Sequence, residues 1–291
     1  MTGLTLAGIT LDGPVLAAAG CAGTGTELQP YTPLATFGAV ITRSITPQSR
    51  AGGPLPRVVE SPGGLVNALG LPGPGVDAFI EQELPALHGV GATVIVSVWA
   101  EQPGEFAAVA QRLRQVPGIA AIEVNVSHPS ATAMDAASAV HQVRRNSATG
   151  TPVFAKLGSE DCVALARSCV AAGADGISLI NAIPAVPIDA GAVRPALGAV
   201  VGGLSGPAIK PIALRCLWQV HEALPQIPLI GSGGIMTGAD ALEFILAGAS
   251  AVAVGTALLH DPGAGGRVAT ELAGLLAGRP VDEVRGAAHG G

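Results

Sequence analysis

Eight short apolar runs, each followed by a stretch of helical character, recur along this chain, and that alternation leaves it very few possible folds. The runs fall at 15–19, 39–45, 93–98, 121–126, 152–157, 176–180, 228–230 and 251–254. Helices are expected at 27–35, 74–87, 103–114, 135–146, 161–172, 207–224, 238–247 and 265–277. The runs do not alternate with polar residues, as parallel strands covered on both faces should not. With no linker or break in composition, residues 1–291 are expected to form one domain, a single (β/α)8 TIM barrel.

Three stretches exceed a minimal barrel. Leu4-Thr-Leu-Ala-Gly-Ile-Thr-Leu11 reads as an N-terminal hairpin plugging the barrel floor. Insertions at 47–74 and 183–203, after the second and sixth strands, are too long for ordinary βα loops. They lie at the C-terminal ends of strands, where barrel enzymes carry their sites. Residues 281–284 suggest a last helix across the barrel, and 286–291 suggest a frayed end.

Gly231-Ser-Gly-Gly-Ile235 ends the seventh run and Val254-Gly255-Thr256 ends the eighth. Bare backbone N–H groups at two adjacent strand ends, each leading into a helix, make a cage for a dianionic phosphate. Plain tight turns would use the same glycines, but the pair with a helix between them is the usual phosphate site of such a barrel.

Composition removes other classes of function. A net charge of −6 with no Lys/Arg cluster argues against nucleic acid, and no apolar run reaches the roughly 20 residues of a membrane span. Met1-Thr-Gly-Leu-Thr-Leu6 lacks the charged start of a signal peptide. Cys21, Cys162, Cys169 and Cys216 have no metal-ligand spacing and read as buried thiols in a reducing cytoplasm. Cys21 stands apart because it follows a glycine at the end of the first run. Only 12% of residues are charged and 49% are hydrophobic, so association into a dimer or larger is expected.

The remaining strand ends gather polar groups: Ala19-Gly20, Arg43-Ser44, Ser97, Asn125-Val-Ser-His128, Lys156 and Asn181. The first insertion adds Asn67-Ala68-Leu69-Gly70-Leu71. Arg43 and Lys156 at a barrel mouth need an anionic or strongly accepting partner, although Arg43 could instead pair with Glu60 or another carboxylate. Amides at Asn67, Asn125 and Asn181 both donate and accept, which suits a planar heterocycle. With a phosphate cage beside them, a phosphorylated planar cofactor is indicated, and flavin mononucleotide (FMN) fits.

Val40-Ile-Thr-Arg-Ser-Ile-Thr46, Arg57-Val-Val-Glu-Ser-Pro-Gly-Gly64, Asn67-Ala-Leu-Gly-Leu-Pro-Gly-Pro-Gly75, Ser178-Leu-Ile-Asn181 and the block from Gly202 to Arg215 resemble the class 1 dihydroorotate dehydrogenases, most nearly the class 1B catalytic subunit. The resemblance implies FMN on the backbone at Ala19 and Gly20, with Arg43, Ser44, Ser97, Asn125 and Ile180 around the ring. It implies Lys156 at the pyrimidine edge, Gly206 in its turn, and the phosphate on Gly233, Gly234, Gly255 and Thr256. A pyrimidine would be gripped by Arg43, Asn67, Ala68, Leu69, Gly70, Leu71, Asn125, Asn181 and Ala182. In the family the substrate loses a proton from C5 to a general base and a hydride from C6 to flavin N5. A separate subunit with FAD and an iron–sulfur cluster accepts the electrons in class 1B, and fumarate does so in class 1A.

The departures fall on groups expected to touch substrate or ring. The family's Asn-x-Ser-Cys-Pro-Asn, with cysteine as base, is Asn125-Val-Ser-His-Pro-Ser130 here. An imidazole near pKa 6.5 suits a base at neutral pH better than a thiol near 8.5. Lys-Ser after the second strand is Arg43-Ser44, a fixed fork in place of an ammonium. Asn181 is followed by Ala182 instead of a hydroxyl residue, and an asparagine on the third strand is Ser97. His128 and Lys156 are the candidate catalytic residues, in oxidation of dihydroorotate to orotate for pyrimidine biosynthesis. Two alternatives stay open: action on another cyclic amide or dihydropyrimidine, and a non-catalytic FMN-binding subunit.

Overall fold

A computed structural model describes residues 3–22, 26–127 and 132–290. Eight strands close into a barrel: Val15–Ala17 (β1), Val40–Ile41 (β2), Val94–Val98 (β3), Ile119–Asn125 (β4), Val153–Leu157 (β5), Gly176–Leu179 (β6), Leu229–Ser232 (β7) and Ala251–Val254 (β8). Every neighbouring pair is parallel, and the order around the ring is the order in the chain. β1, β3, β5, β6, β7 and β8 are buried at every residue, which is why their sequences read as unbroken apolar runs. With so few aromatics, the interior depends on close fitting of small residues. A Cβ on Gly176 would lie 2.3 Å from the Phe154 ring, so that glycine makes room for one of the few large side chains in the barrel.

Helices follow β2 to β8, but among the described residues no α-helix follows β1. The expected helix at 27–35 is a series of turns ending in the short 3-10 segment Leu34–Thr36. Pro30 and Pro33 explain the difference, since each removes a backbone donor and pushes its predecessor out of helical geometry. After β2, Val76–Ala78, Phe79–Glu83 and Leu84–Gly89 run on as one helix whose middle turn is widened. There the Leu84 N–H reaches back five residues to the Phe79 carbonyl. Pro85 in an ordinary turn would press its ring on the Glu81 carbonyl, and the wide turn relieves that clash.

The N-terminal hairpin pairs Leu4–Leu6 with Ile9–Leu11, and Leu6 and Leu11 are fully buried beneath the barrel. The C-terminal end is docked instead of frayed as far as Gly290: the His289 ring stacks on Trp218 at 3.6 Å, and its Nε2 lies 3.1 Å from the Ala247 carbonyl. Among the described residues no helix is long and apolar enough to cross a membrane.

The two insertions form a single structure over the barrel mouth. Val58–Ser61 and Gly64–Asn67, from the first, join Gly202–Ser205 and Ile183–Ala185, from the second, in a four-stranded antiparallel sheet. Gly203 pairs with Asn67, so the two insertions meet at a predicted site residue.

Candidate functional site

A cavity of about 760 Å³ opens between the strand ends and this sheet. At one end it is lined by Gly233, Gly234, Gly255 and Thr256, with Gly206 beside them. Among the described residues, the backbone N–H groups of Gly233, Gly234, Gly255 and Thr256 have no protein acceptor. Gly234 is held at φ +77°, and a Cβ there would come within 2.8 Å of Lys210 Cβ and 3.0 Å of the Gly206 carbonyl. The turn therefore needs glycine for its own packing as well as for any ligand.

The same turn is fastened from behind. Lys210 Nζ bridges Asp240 at 2.6 Å and Glu243 at 2.9 Å. Asp240 accepts from the N–H groups of Met236 and Thr237, closing a capping box on the helix Gly238–Leu246. Lys210 is thus a structural cation.

Lys156 enters the cavity floor from β5 and is 4% exposed. Its Nζ donates to Ser232 Oγ at 3.0 Å, and Ser232 donates on to the Ile180 carbonyl at 2.9 Å. Ser232 was not singled out from sequence; its signal was its place inside the glycine motif. Ile180, Ala19 and Gly20 line the same region, and the Leu179–Ile180 peptide is cis. Cys21 lies there too, and burial pushes its thiol up to about 11 against the pull of the Lys156 charge. Unlike the other three cysteines, which are buried as expected, Cys21 is only half-buried and forms part of the cavity wall.

Around the middle, hydroxyls and amides hold one another. Asn125 Nδ2 donates to Ser44 Oγ at 2.9 Å, and Asn125 Oδ1 accepts from Ser127 Oγ at 2.6 Å. Asn181 Nδ2 donates to Ser127 Oγ at 2.6 Å. Asn125 thereby keeps one N–H for a ligand and Asn181 its carbonyl. Ser97 is the predicted site residue that does not reach the cavity: it is fully buried, 3.1 Å behind Ser44 Oγ. Its short side chain fills the layer below.

Asn67, Ala68, Leu69, Gly70 and Leu71 line the cavity beneath the sheet, together with Asn181 and Ala182. Gly53 N–H on the Leu69 carbonyl and Ala68 N–H on the Arg57 carbonyl, both 2.8 Å, clasp this loop from outside. Arg43 lines the cavity and pairs with Glu83, not with Glu60. His128 and Ser130 lie outside the described residues.

One cavity thus joins a ring of free N–H donors, a buried ammonium, directional amides and a guanidinium. A family model for dihydroorotate dehydrogenase matches residues 1–276. The chain belongs to the dihydroorotate dehydrogenase family. The catalytic subunit of dihydroorotate dehydrogenase B (NAD(+)) from Desulforudis audaxviator is 48% identical, over 99% of this chain and 97% of its own length. The corresponding subunit from Geobacter sulfurreducens is 47% identical, over 96% and 94%. A dihydroorotate dehydrogenase from Eimeria tenella, solved with ferulenol, shares the fold at a TM-score of 0.79 and 23% identity, covering 99% of this chain and 88% of that one. Catalytic subunits of this family of CH–CH oxidoreductases are FMN-dependent.

Proposed function

We propose that this chain is the FMN-bearing catalytic subunit of a class 1B dihydroorotate dehydrogenase, oxidising dihydroorotate to orotate in pyrimidine biosynthesis. The observation that carries the reading is the set of four unpaired backbone N–H groups at Gly233, Gly234, Gly255 and Thr256, in one cavity with buried Lys156. These donors fit a phosphate dianion without any protein acceptor having to be displaced. Lys156 fits the electron-rich pyrimidine edge of the flavin, and Ala19, Gly20, Ser44, Asn125, Ile180 and Gly206 fit the rest of it, with Ser97 supporting Ser44 from below.

FMN supplies the acceptor for the hydride that leaves C6 of the substrate. The chain's own residues do the rest. Asn67, Asn125 and Asn181, with the backbone of Ala68, Leu69, Gly70, Leu71 and Ala182, orient the substrate ring in its plane. Arg43 meets the substrate carboxylate, a pairing that suits a planar fork. His128 takes the C5 proton on an imidazole nitrogen; its neighbour Ser127 is tied to Asn125 and Asn181 at the cavity wall.

The relatives are named catalytic subunits, and the partner proposed for this chain is an electron-transfer subunit carrying FAD and an iron–sulfur cluster. Exposed Val186, Ile188, Val193, Val200 and Val201 on the second insertion support a homodimer through that face. Free thiols at all four cysteines are consistent with a cytoplasmic setting. The test is anaerobic stopped-flow mixing of FMN-loaded protein with dihydroorotate. Bleaching of the flavin with formation of orotate is expected; a flavin that stays oxidised with dihydroorotate sinks the reading.

A further inference from the structure

Glu83 was not marked by any sequence motif, yet it is the acceptor that the Arg43 guanidinium reaches among the described residues. Its side chain is 15% exposed and that of Arg43 is 26% exposed, so this pair is largely removed from water. Glu83 holds Nη2, while Nε is shut away from solvent beside Gly73 and has no partner. Of the five guanidinium N–H groups, one on Nη2 is taken by Glu83 and the one on Nε is buried, which leaves those of Nη1 and the second of Nη2 for a ligand in the cavity that Arg43 lines.

Glu83 reaches this place because it is the last residue of the widened turn Phe79–Glu83. That turn holds one residue more than an ordinary helical turn, which changes the direction in which following side chains leave the helix. A deformation forced by Pro85 thus ends at the residue that grips a cavity arginine. The need for a grip follows from the arginine itself. An ammonium on a flexible stem can turn any of three donors toward an anion, whereas a guanidinium binds well only when its plane is set.

We infer that Glu83 is a positioning residue that sets the plane of Arg43 for the carboxylate of the pyrimidine ligand. The inference rests on the reading of Arg43 as the carboxylate contact. It adds a second residue, outside the motifs, on which selectivity for a carboxylated ring depends.

The test uses FMN-loaded protein and reads ligand binding from the perturbation of the flavin absorbance by orotate and by uracil, the same ring without the carboxylate. Glu83→Gln is expected to raise the Kd for orotate about tenfold and to leave that for uracil within about twofold. In an Arg43→Lys background the same Glu83→Gln change is expected to cost less than about threefold, because the ammonium needs no aiming. Equal losses in both backgrounds, or tighter orotate binding in Glu83→Gln, overturn the inference; the second outcome makes Glu83 a competitor for Arg43. Arg43→Ala with unchanged orotate binding removes the underlying reading and the inference with it. A loss with Arg43→Ala and none with Glu83→Gln removes the inference alone. FMN content and melting temperature are read in parallel, and a Glu83→Gln protein without FMN or fold makes Glu83 a scaffold residue and also overturns it.

Discussion

Asn181 Nδ2 donates to Ser127 Oγ at 2.6 Å, joining the end of β6 to the segment that leaves β4. Ser127 in turn holds Asn125 Oδ1, so two site amides share one hydroxyl, and the residue next in the chain is His128. Two strands thus converge on Ser127, the residue that precedes the proposed base in the chain.

Substitution of His128 tests that base directly. His128→Ala is expected to slow flavin reduction by dihydroorotate roughly 10²–10⁴-fold with FMN still bound, the usual worth of a positioned base. The wild-type reduction rate should titrate with an apparent pKa nearer about 6.5 than about 8.5, and His128→Cys should move it upward. A wild-type rate in His128→Ala, measured by stopped flow, would falsify the assignment and shift attention to Ser127.

The purified protein should be yellow, with one FMN per chain. Gly234→Val is expected to abolish FMN retention, because a β-branched residue at positive φ adds roughly 1–3 kcal/mol of strain and its Cβ strikes Lys210 and Gly206. Absorbance near the flavin band after gel filtration checks this; a Gly234→Val protein that remains yellow contradicts it.

Asp240 ties part of the fold's stability to pH. Burial alone would raise its carboxyl, but hydrogen bonds from Lys210, Met236 and Thr237 outweigh it and hold the pKa below its ordinary 3.8. A carboxyl depressed in the folded state stabilises fully above its unfolded pKa and loses that contribution as pH falls through the folded one. Asp240→Asn should therefore cost about 1–2 kcal/mol near neutral pH. The gap in melting temperature from wild type should begin to narrow near the ordinary 3.8 and close as the pH falls through the lower pKa of the folded state. A gap that persists or widens in acid would refute the assignment.

Light scattering at micromolar concentration should give a dimer or larger species. Ile188→Asp with Val193→Asp, both on exposed positions of the second insertion and neither lining the cavity, should shift it toward monomer without loss of FMN. A wild-type monomer rules the association out.

The features that repeat along the chain are legible in its sequence. Eight unbroken apolar runs follow from burial on both faces, and glycines at β7 and β8 follow from backbone geometry that side chains would spoil. Contacts set by distant elements were hidden. Nothing local marks Glu83 as the partner of Arg43 or Ser232 as the acceptor for Lys156, because each pair forms only once separate elements meet. The helix expected at 27–35 failed where Pro30 and Pro33 outweighed periodicity. The docking of His289 on Trp218 was equally invisible, since terminal glycines read as loose.

The sheet over the barrel mouth has a consequence for how the molecule comes into being. Asn67 and Gly203 stand 136 positions apart in the chain, so their pairing closes a very long loop and can follow only after β6 has been made and docked. A nascent chain halted before β6 has five of the eight barrel strands and only two of the four strands of the lid. On refolding, helical signal should return before the protein regains orotate, which makes ligand capture a late-born property and a sensitive gauge of complete assembly.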